Sequence, residues 1–436
     1  MPTPSAPSSV TTTASAAPTH RGTRSTPARA AASRRSSRPA ATACSTASQR
    51  NSCREPARLP ACPAVQSRSV IVVGAGIVGC TVAYELARSG ASVHVIETRA
   101  PGQGATRASA GILAPFIEGH GSTLLRGLGK RSLDLYDPFI AQLRRDSNHP
   151  LIYRRNGTFE LAFSTADVTR LGELASLLAD RGVGGSWIEP PQFPNYEPAA
   201  SPAALGALLI PSHGFVGVTS LTLAAAAAAE NFGARFTMET GAIRIVPIDD
   251  GRVGVHTPQL KLDADRVVLA AGSWSSQITV EGVDAIPVTP IRGQLIQLQA
   301  DAGAIERVVW GPDGYLVPWP DGSVLVGSTV EDVGFDESHT ADAVQRLHEV
   351  AAGLVPRLAA AEISSVRTGL RPKGPDDVPI LGRSRVIPGL VYATAHYRNG
   401  VLLTPLTVQL VRALVFDCAA DPALADLDPS RLGVRL

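Results

Sequence analysis

VIVVGAGIVGCTVAYELARSGASVHVIE, residues 70–97, decides the fold. Residues 70–73 are an uninterrupted apolar run, as a strand buried on both faces requires. Residues 74–79 turn the chain. Residues 77–88 then read as a helix with Ala83, Leu86 and Ala87 on one side and Gly90 as its stop. Residues 93–97 form the next strand, which completes a strand–helix–strand unit of about 30 residues, the size of a parallel crossover. Inside it, Gly74-x-Gly76-x-x-Gly79 follows a strand and opens a helix, the context that separates a dinucleotide-binding turn from a chance cluster of glycines. Gly74 permits the tight turn, Gly76 lets backbone amides approach a pyrophosphate, and Gly79 lets helix and strand pack closely. The helix begins at Ile77 and Val78, where N–H groups and the positive end of the dipole favour phosphate. Glu97 ends the second strand 18 residues after Gly79, a spacing that suits a carboxylate accepting hydrogen bonds from a ribose. In isolation it would read as a solvated acid. An acid here disfavours a 2′-phosphate, so NADP is not expected.

This unit alone leaves FAD and NAD both open, and two later segments decide. GATRASAGILAP, residues 104–115, follows the second strand directly, and its small residues Ala105, Thr106, Ala110 and Gly111 would let a long cofactor lie against the backbone. VVLAAGSWS, residues 267–275, is a buried strand that ends in Ala-Gly at Gly272, with Trp274 and Ser275 after it. Either could be a loop of small residues; together they resemble the second and third flavin-contact segments of the amino acid oxidase class of flavoproteins, which implies FAD.

Further along, residues 151–163 alternate as a strand pair would, and residues 165–181 read as a helix with Thr165 as its cap. Residues 220–233, 341–354 and 403–416 read as helices, residues 390–394 as a last buried strand, and residues 315–318 and 324–327 as a hairpin around Asp321-Gly322. The expected fold class is α/β. A Rossmann-type FAD-binding domain with a parallel sheet would draw on residues 68–150, 215–285 and 360–430, and a second, α+β substrate domain with antiparallel strands on residues 151–214 and 286–359.

Residues 1–68 hold ten arginines and one acid, a charge of +9, so of the formal +2 the rest of the chain carries −7. A mildly acidic body argues against nucleic acid as a partner. Residues 1–67, rich in Ser, Thr, Ala, Pro and Arg without periodicity, read as a disordered tail, either an unstructured extension or a transit peptide. No run of about 18 uncharged apolar residues marks a membrane span. Five scattered cysteines without a C-x-x-C pair suit a reducing, cytoplasmic setting rather than a disulfide framework, and nine histidines show no metal-ligand spacing. The oligomeric state is left open, a homo-oligomer included.

These motifs, with TGLRPKGPDDVPILG (residues 368–382), ATAHYRNGVLLTP (393–405), PIRGQLIQL (290–298) and YLVPWPDGSVLVGSTVEDVGFD (315–336), make residues 69–416 resemble the glycine oxidases of thiamine biosynthesis, within the D-amino acid oxidase superfamily. The resemblance implies FAD, a small amino acid as substrate, O2 as electron acceptor, and an oxo acid, ammonia and hydrogen peroxide as products; with no cysteine near residues 396–402, the nearest C-terminal one being Cys418, the FAD is expected to be noncovalent. It places Ile77, Val78, Glu97, Thr98 and Ala242 at the adenine side, and Ala105, Thr106, Ala110, Gly111 and Ile112 along the pyrophosphate and flavin. His396, Tyr397, Arg398, Asn399, Gly400, Val401 and Leu402 would wrap the isoalloxazine. Arg371 matches the arginine that binds the substrate carboxylate, Arg398 a second substrate-side arginine and Tyr315 a pocket tyrosine. Ile112 and Val330 stand where relatives carry methionine, and Gly217-Val218-Thr219 replaces a segment with an acid or histidine; these departures bear on substrate preference.

Residue chemistry supports the same roles. A guanidinium fork holds a carboxylate bidentately and fixes its rotation, which lysine cannot do. Arg371, before Pro372 in an expected loop, is the first candidate. Arg398, after the last buried strand, reads either as a second contact or as a structural ion pair, and Tyr315 either as a substrate contact or as a buried tyrosine with a satisfied hydroxyl. The competing functions are a D-amino acid dehydrogenase passing electrons to a quinone and a flavin-binding subunit of a larger oxidase.

Overall fold

The computed structural model describes residues 67–118, 121–239, 241–301 and 303–436. The expectations for residues 1–66, including Cys44, Cys53 and Cys62, lie outside them. Ser69–Val73 and Ser92–Glu97 pair in parallel around the helix Ile77–Arg88. Six strands form this sheet, in the order Ile380–Arg383, Leu390–Thr394, Arg266–Leu269, Ser69–Val73, Ser92–Glu97 and Arg235–Met238. All neighbours are parallel except the first two. Strands from the start, middle and end of the chain thus lie side by side, as expected.

Both faces of the sheet are covered, which explains the continuous apolar run. Val70 and Val72 face a core built with the helices Ile77–Arg88, Thr123–Ser147, Val218–Asn231 and Thr404–Val415. Ala224, Ala225, Ala228 and Ala229 are buried there, and side chains that small allow close helix packing. Ile71 and Val73 face the opposite core, made with Ile245, Val253 and Val255 of a four-stranded sheet.

The second domain is built on eight strands, ordered Ile363–Lys373, Thr289–Leu298, Val324–Gly327, Gly314–Pro318, Val308–Gly311, Thr158–Ala162, Gly206–Ile210 and Ser186–Ile188. All pairings are antiparallel except that of Val308–Gly311 with Thr158–Ala162. The helix Ala341–Leu354 lays Leu347, Ala351 and Leu354 on one face of it. The hairpin around Asp321-Gly322 forms as read, with Gly322 at φ +90°.

Three local readings need correction. Arg371 is not in a loop: it lies on Ile363–Lys373, opposite Ile291 of Thr289–Leu298. Pro372 misleads because proline argues against a strand, yet this strand is the edge of its sheet, where a missing N–H is tolerated. The same pairing carries residues 363–373 into the antiparallel sheet, so that layer extends past residue 359. Within residues 151–163, Tyr153–Arg154 and Thr158–Ala162 do not pair with each other; the first joins Gly214–Val216 and the second Gly206–Ile210. Ser164 rather than Thr165 caps the helix Thr165–Asp180, and Asp167 completes a capping box.

His213 is fully buried, its ring stacked on Phe116 and its Nδ1 2.9 Å from Thr158 Oγ1. Burial pushes its pKa down to about 3. An unfolded imidazole titrates near 6.5, so this neutral ring contributes stability in full above that pH and loses it as pH falls toward 3. The melting temperature should therefore drop on acidification through this window, and less steeply for His213→Gln. Parallel pH profiles of the two proteins would discard the assignment.

Candidate active site

A cavity of about 460 Å³ opens at the carboxyl ends of the parallel strands, lined there by Val73, Ile96, Ala270 and Thr394. Open α/β sheets bind ligands at this edge. Gly293, Leu295, Tyr315 and Arg371 of the eight-stranded sheet close it from the other side.

The three glycines of the first turn do different work. Gly74 sits at φ +104°, and a Cβ there would lie 2.5 Å from Ala270 O. A Cβ on Gly79 would lie 1.9 Å from Gly74 O, so Gly79 serves helix–strand contact and does not line the cavity. Gly76 caps the helix at φ −70°, and its Cβ would meet only Thr106 Oγ1, at 3.4 Å. The protein itself therefore leaves room beside Gly76, a cradle a side chain would fill and a pyrophosphate suits. The surrounding donors are ordered: Ile77 N–H donates to Thr106 Oγ1 at 3.0 Å, and Ala75 N–H to Glu97 Oε2 at 2.6 Å. Glu97 Oε1 accepts from the N–H of Thr98 at 2.8 Å and of Arg99 at 3.1 Å. Ile77, Val78, Glu97, Thr98 and Ala242 all face the cavity.

Ala105, Thr106, Ala110, Gly111 and Ile112 form the next wall. Gly111, at φ +73°, is held so close to the neighbouring strand that a Cβ would lie 1.8 Å from Val216 O. Gly369 approaches the same wall, with its Cβ position 2.8 Å from Ala108 Cβ. Gly272 and Trp274 complete this side. The Arg99 guanidinium stands 4.6 Å over the Trp274 ring and donates to both carboxylate oxygens of Glu337, at 3.1 and 2.7 Å.

After Leu390–Thr394 the chain turns sharply, with Ala395 at φ 58° and Tyr397 at φ 47°. His396, Tyr397, Arg398, Gly400 and Val401 line the cavity. Asn399 and Leu402 do not: the first is buried beneath the turn, and the second packs into the helical core near Gly129. Burial lowers the His396 pKa to about 4, and its Nε2 lies 3.0 Å from Thr407 Oγ1, so the ring is neutral and engaged.

At the remaining end Arg371, Arg398 and Tyr315 come together. Arg371 Nη1 donates to Thr329 O at 3.0 Å and Arg292 O at 3.3 Å, and Nη2 to Ser328 Oγ at 2.8 Å. These bonds fix the plane of the guanidinium. Burial lowers its pKa, yet an arginine so shifted keeps its charge. Arg398 Nε donates to Glu118 Oε2 at 3.0 Å, and the ion pair they form faces the cavity. Tyr315 is buried beside Trp310, ring centroids 4.9 Å apart, and burial pushes its hydroxyl pKa up. Glu118 and Ser328 were not singled out from sequence. Glu118 lies three residues past the small-residue segment, and nothing local marks it. Among the described residues, no group of three or more His, Cys, Asp or Glu could hold a metal, and no helix is long and apolar enough to cross a membrane.

The family described as FAD dependent oxidoreductase matches residues 69–414. The chain belongs to the FAD dependent oxidoreductase family. The bifunctional protein ThiO/ThiG of Nostoc sp. is 32% identical over 84% of the chain and 55% of the relative. The chain thus spans about half the length of the first such curated relatives. The glycine oxidase of Geobacillus kaustophilus is 31% identical over 79% of the chain and 92% of the relative. A crystal structure of glycine oxidase from that organism superposes with a TM-score of 0.79 at 29% identity, covering 83% of this chain and 98% of that one. An iminodiacetate oxidase from Chelativorans sp. BNC1 gives a TM-score of 0.76 at 29% identity, with the same coverage.

As in other FAD dependent oxidoreductases, FAD supplies two-electron redox chemistry when bound. The cradle at Gly76, the amides of the first helical turn and the Glu97 carboxylate fit its nucleotide half, and the turn from His396 to Val401 its ring. Among the described residues, no cysteine lines the cavity. Acid precipitation should accordingly release the yellow chromophore to the supernatant; colour retained in the pellet would show a covalent bond instead.

Proposed function

We propose that the chain oxidises glycine or a similarly small amino acid, with O2 as acceptor, to the oxo acid, ammonia and hydrogen peroxide, in the service of thiamine biosynthesis. The observation that carries this reading is Arg371. It is a cation in the cavity wall, fixed by three hydrogen bonds to the second domain, whose Nε–H makes no hydrogen bond among the described residues. Nε and Nη2 form one edge of the guanidinium, the fork geometry that grips a carboxylate.

The other residues support the role. Arg371 would bind the carboxylate and set the rotation of the α-carbon, and holding a reactant in one orientation removes much of an activation barrier. Ile112, Leu295 and Val401 give this end apolar walls that exclude water. Tyr315 stays protonated and can donate from its hydroxyl. His396 is neutral and bonded to Thr407, so it is not a free base, and the amine must react in its neutral form. Residues 1–67 are given no part in this chemistry.

The test is a panel of glycine, sarcosine and D-alanine offered to the purified, FAD-loaded chain in air, with peroxide and oxygen uptake followed together. Stoichiometric peroxide from one of them supports the oxidase. Dye reduction without peroxide would move the reading to a dehydrogenase, and no turnover of any amino acid would remove it.

A further inference from the structure

The substrate end of the cavity holds two guanidinium groups, Arg371 and Arg398, and one carboxylate, Glu118. Among the described residues Arg371 is bonded only to neutral acceptors, two carbonyls and a hydroxyl. Arg398 is bonded to Glu118, with side-chain exposures of 28% and 11%. The two partners lie 280 residues apart, one on the four-residue helix Pro115–Glu118 and the other on the turn Tyr397–Asn399, so local helix geometry did not create the pair. The Glu118 charge is the main cause that raises the Arg398 pKa, and both groups act on the field at Arg371.

An ion pair this buried adds little net stability over an apolar pair, because the desolvation of two charges offsets most of their attraction. Its effect here is on the charge of the cavity. With Glu118 ionised, this end carries one uncompensated positive charge and matches a ligand with a single carboxylate. Remove the Glu118 charge and Arg398 becomes a second free guanidinium, matched to a second carboxylate. A dicarboxylate entering the intact site must compete with Glu118 for Arg398 or leave a negative group in a half-dry site without a partner, and unpaired buried charges are costly.

We propose that Glu118 is a specificity-determining residue: by occupying Arg398 it confines the site to amines with one carboxylate, and without its charge the site accepts secondary amines with two, of which iminodiacetate is the smallest. This rests on the amino acid oxidase reading. The reaction balances as iminodiacetate plus O2 plus water giving glyoxylate, glycine and hydrogen peroxide: a C–H bond and the N–H give up two electrons and two protons to O2, and water then cleaves the resulting C=N bond.

The experiment separates ligand selection from turnover. On the FAD-loaded full chain, perturbation of the flavin absorbance reads the binding of methoxyacetate (one carboxylate) and oxydiacetate (two), in which an unreactive ether replaces the amine. Glu118→Gln should raise the oxydiacetate-to-methoxyacetate affinity ratio by at least about tenfold, equal to about 1.4 kcal/mol. Glu118→Asp, which keeps the charge, should hold the parent's ratio. Arg398→Met placed in Glu118→Gln should abolish the gain, and Arg398→Met alone, leaving Glu118 unpaired, should push the ratio below the parent's. Initial peroxide rates should shift in the same direction, from glycine toward iminodiacetate. A flavin-loaded Glu118→Gln with the parent's ratio, or a gain that survives the loss of Arg398, overturns the proposal. If the parent oxidises no amino acid, the oxidase reading falls, while the binding ratios still decide the role of Glu118.

Discussion

Arg371→Ala is expected to keep its FAD and lose glycine oxidation. The residue stands on the edge strand Ile363–Lys373, and its guanidinium is held by Ser328 and by the carbonyls of Thr329 and Arg292. None of these partners belongs to the nucleotide-binding turn, so flavin occupancy should be untouched. A lost charge-assisted contact costs about 1.5–3 kcal/mol, and more where the carboxylate is left buried and unpaired. At about 1.4 kcal/mol per factor of ten, kcat/KM should fall by roughly 10- to 100-fold or further. Arg371→Lys should recover little, because an ammonium cannot reproduce the planar fork and would not span Ser328 and Thr329 at once. An amine substrate with no carboxylate should be nearly indifferent to the change. Glycine oxidation by Arg371→Ala at the parent's rate would reject the carboxylate clamp.

Two glycine substitutions three residues apart should fail in different ways. At Gly76 a Cβ meets only Thr106 Oγ1, at 3.4 Å, so Gly76→Val should fold with the parent's far-ultraviolet spectrum. Its methyl groups then occupy the cradle, and FAD should bind on the order of 100-fold more weakly, a loss of about 3 kcal/mol. At Gly79 the Cβ would stand 1.9 Å from Gly74 O, a backbone atom with no freedom to yield. Gly79→Val should therefore lose the fold, with a cost at the top of the ~1–3 kcal/mol range for overpacking or beyond it. Circular dichroism and flavin titration of both variants check the pair. A folded Gly76→Val with full flavin content would remove the nucleotide assignment at that turn.

The contrast also shows what a sequence discloses. The unit from Ser69 to Glu97 was legible because each of its signals is local: an apolar run, a glycine turn, a helical face and an acid at a strand end. Leu390–Thr394 and the hairpin at Asp321-Gly322 were legible for the same reason. Arg371 could be picked out as a residue type, but its strand could not, because pairing with Thr289–Leu298 is a long-range event and Pro372 argues locally against it. Glu118 was invisible: its partner Arg398 lies 280 residues away and no motif includes Glu118 itself. The resemblance takes residues 396–402 as one run, whereas the tight turn at Ala395 and Tyr397 directs Asn399 and Leu402, three residues apart, away from the cavity.

The order of strands across the parallel sheet has a consequence for how the protein is made. The turn at Gly74 leaves the ribosome roughly 320 residues before His396, a delay of tens of seconds at about 5–20 residues per second. Through that interval Ser69–Val73 waits for Arg266–Leu269, and the sheet for Leu390–Thr394. The nucleotide motif, though made long before, faces an incomplete binding site until the turn from His396 to Val401 has emerged. A nascent chain halted near residue 360 should hold no flavin, even with the whole glycine turn in place. Flavin uptake thus waits for the turn from His396 to Val401, and a yellow molecule is one in which that turn has been made.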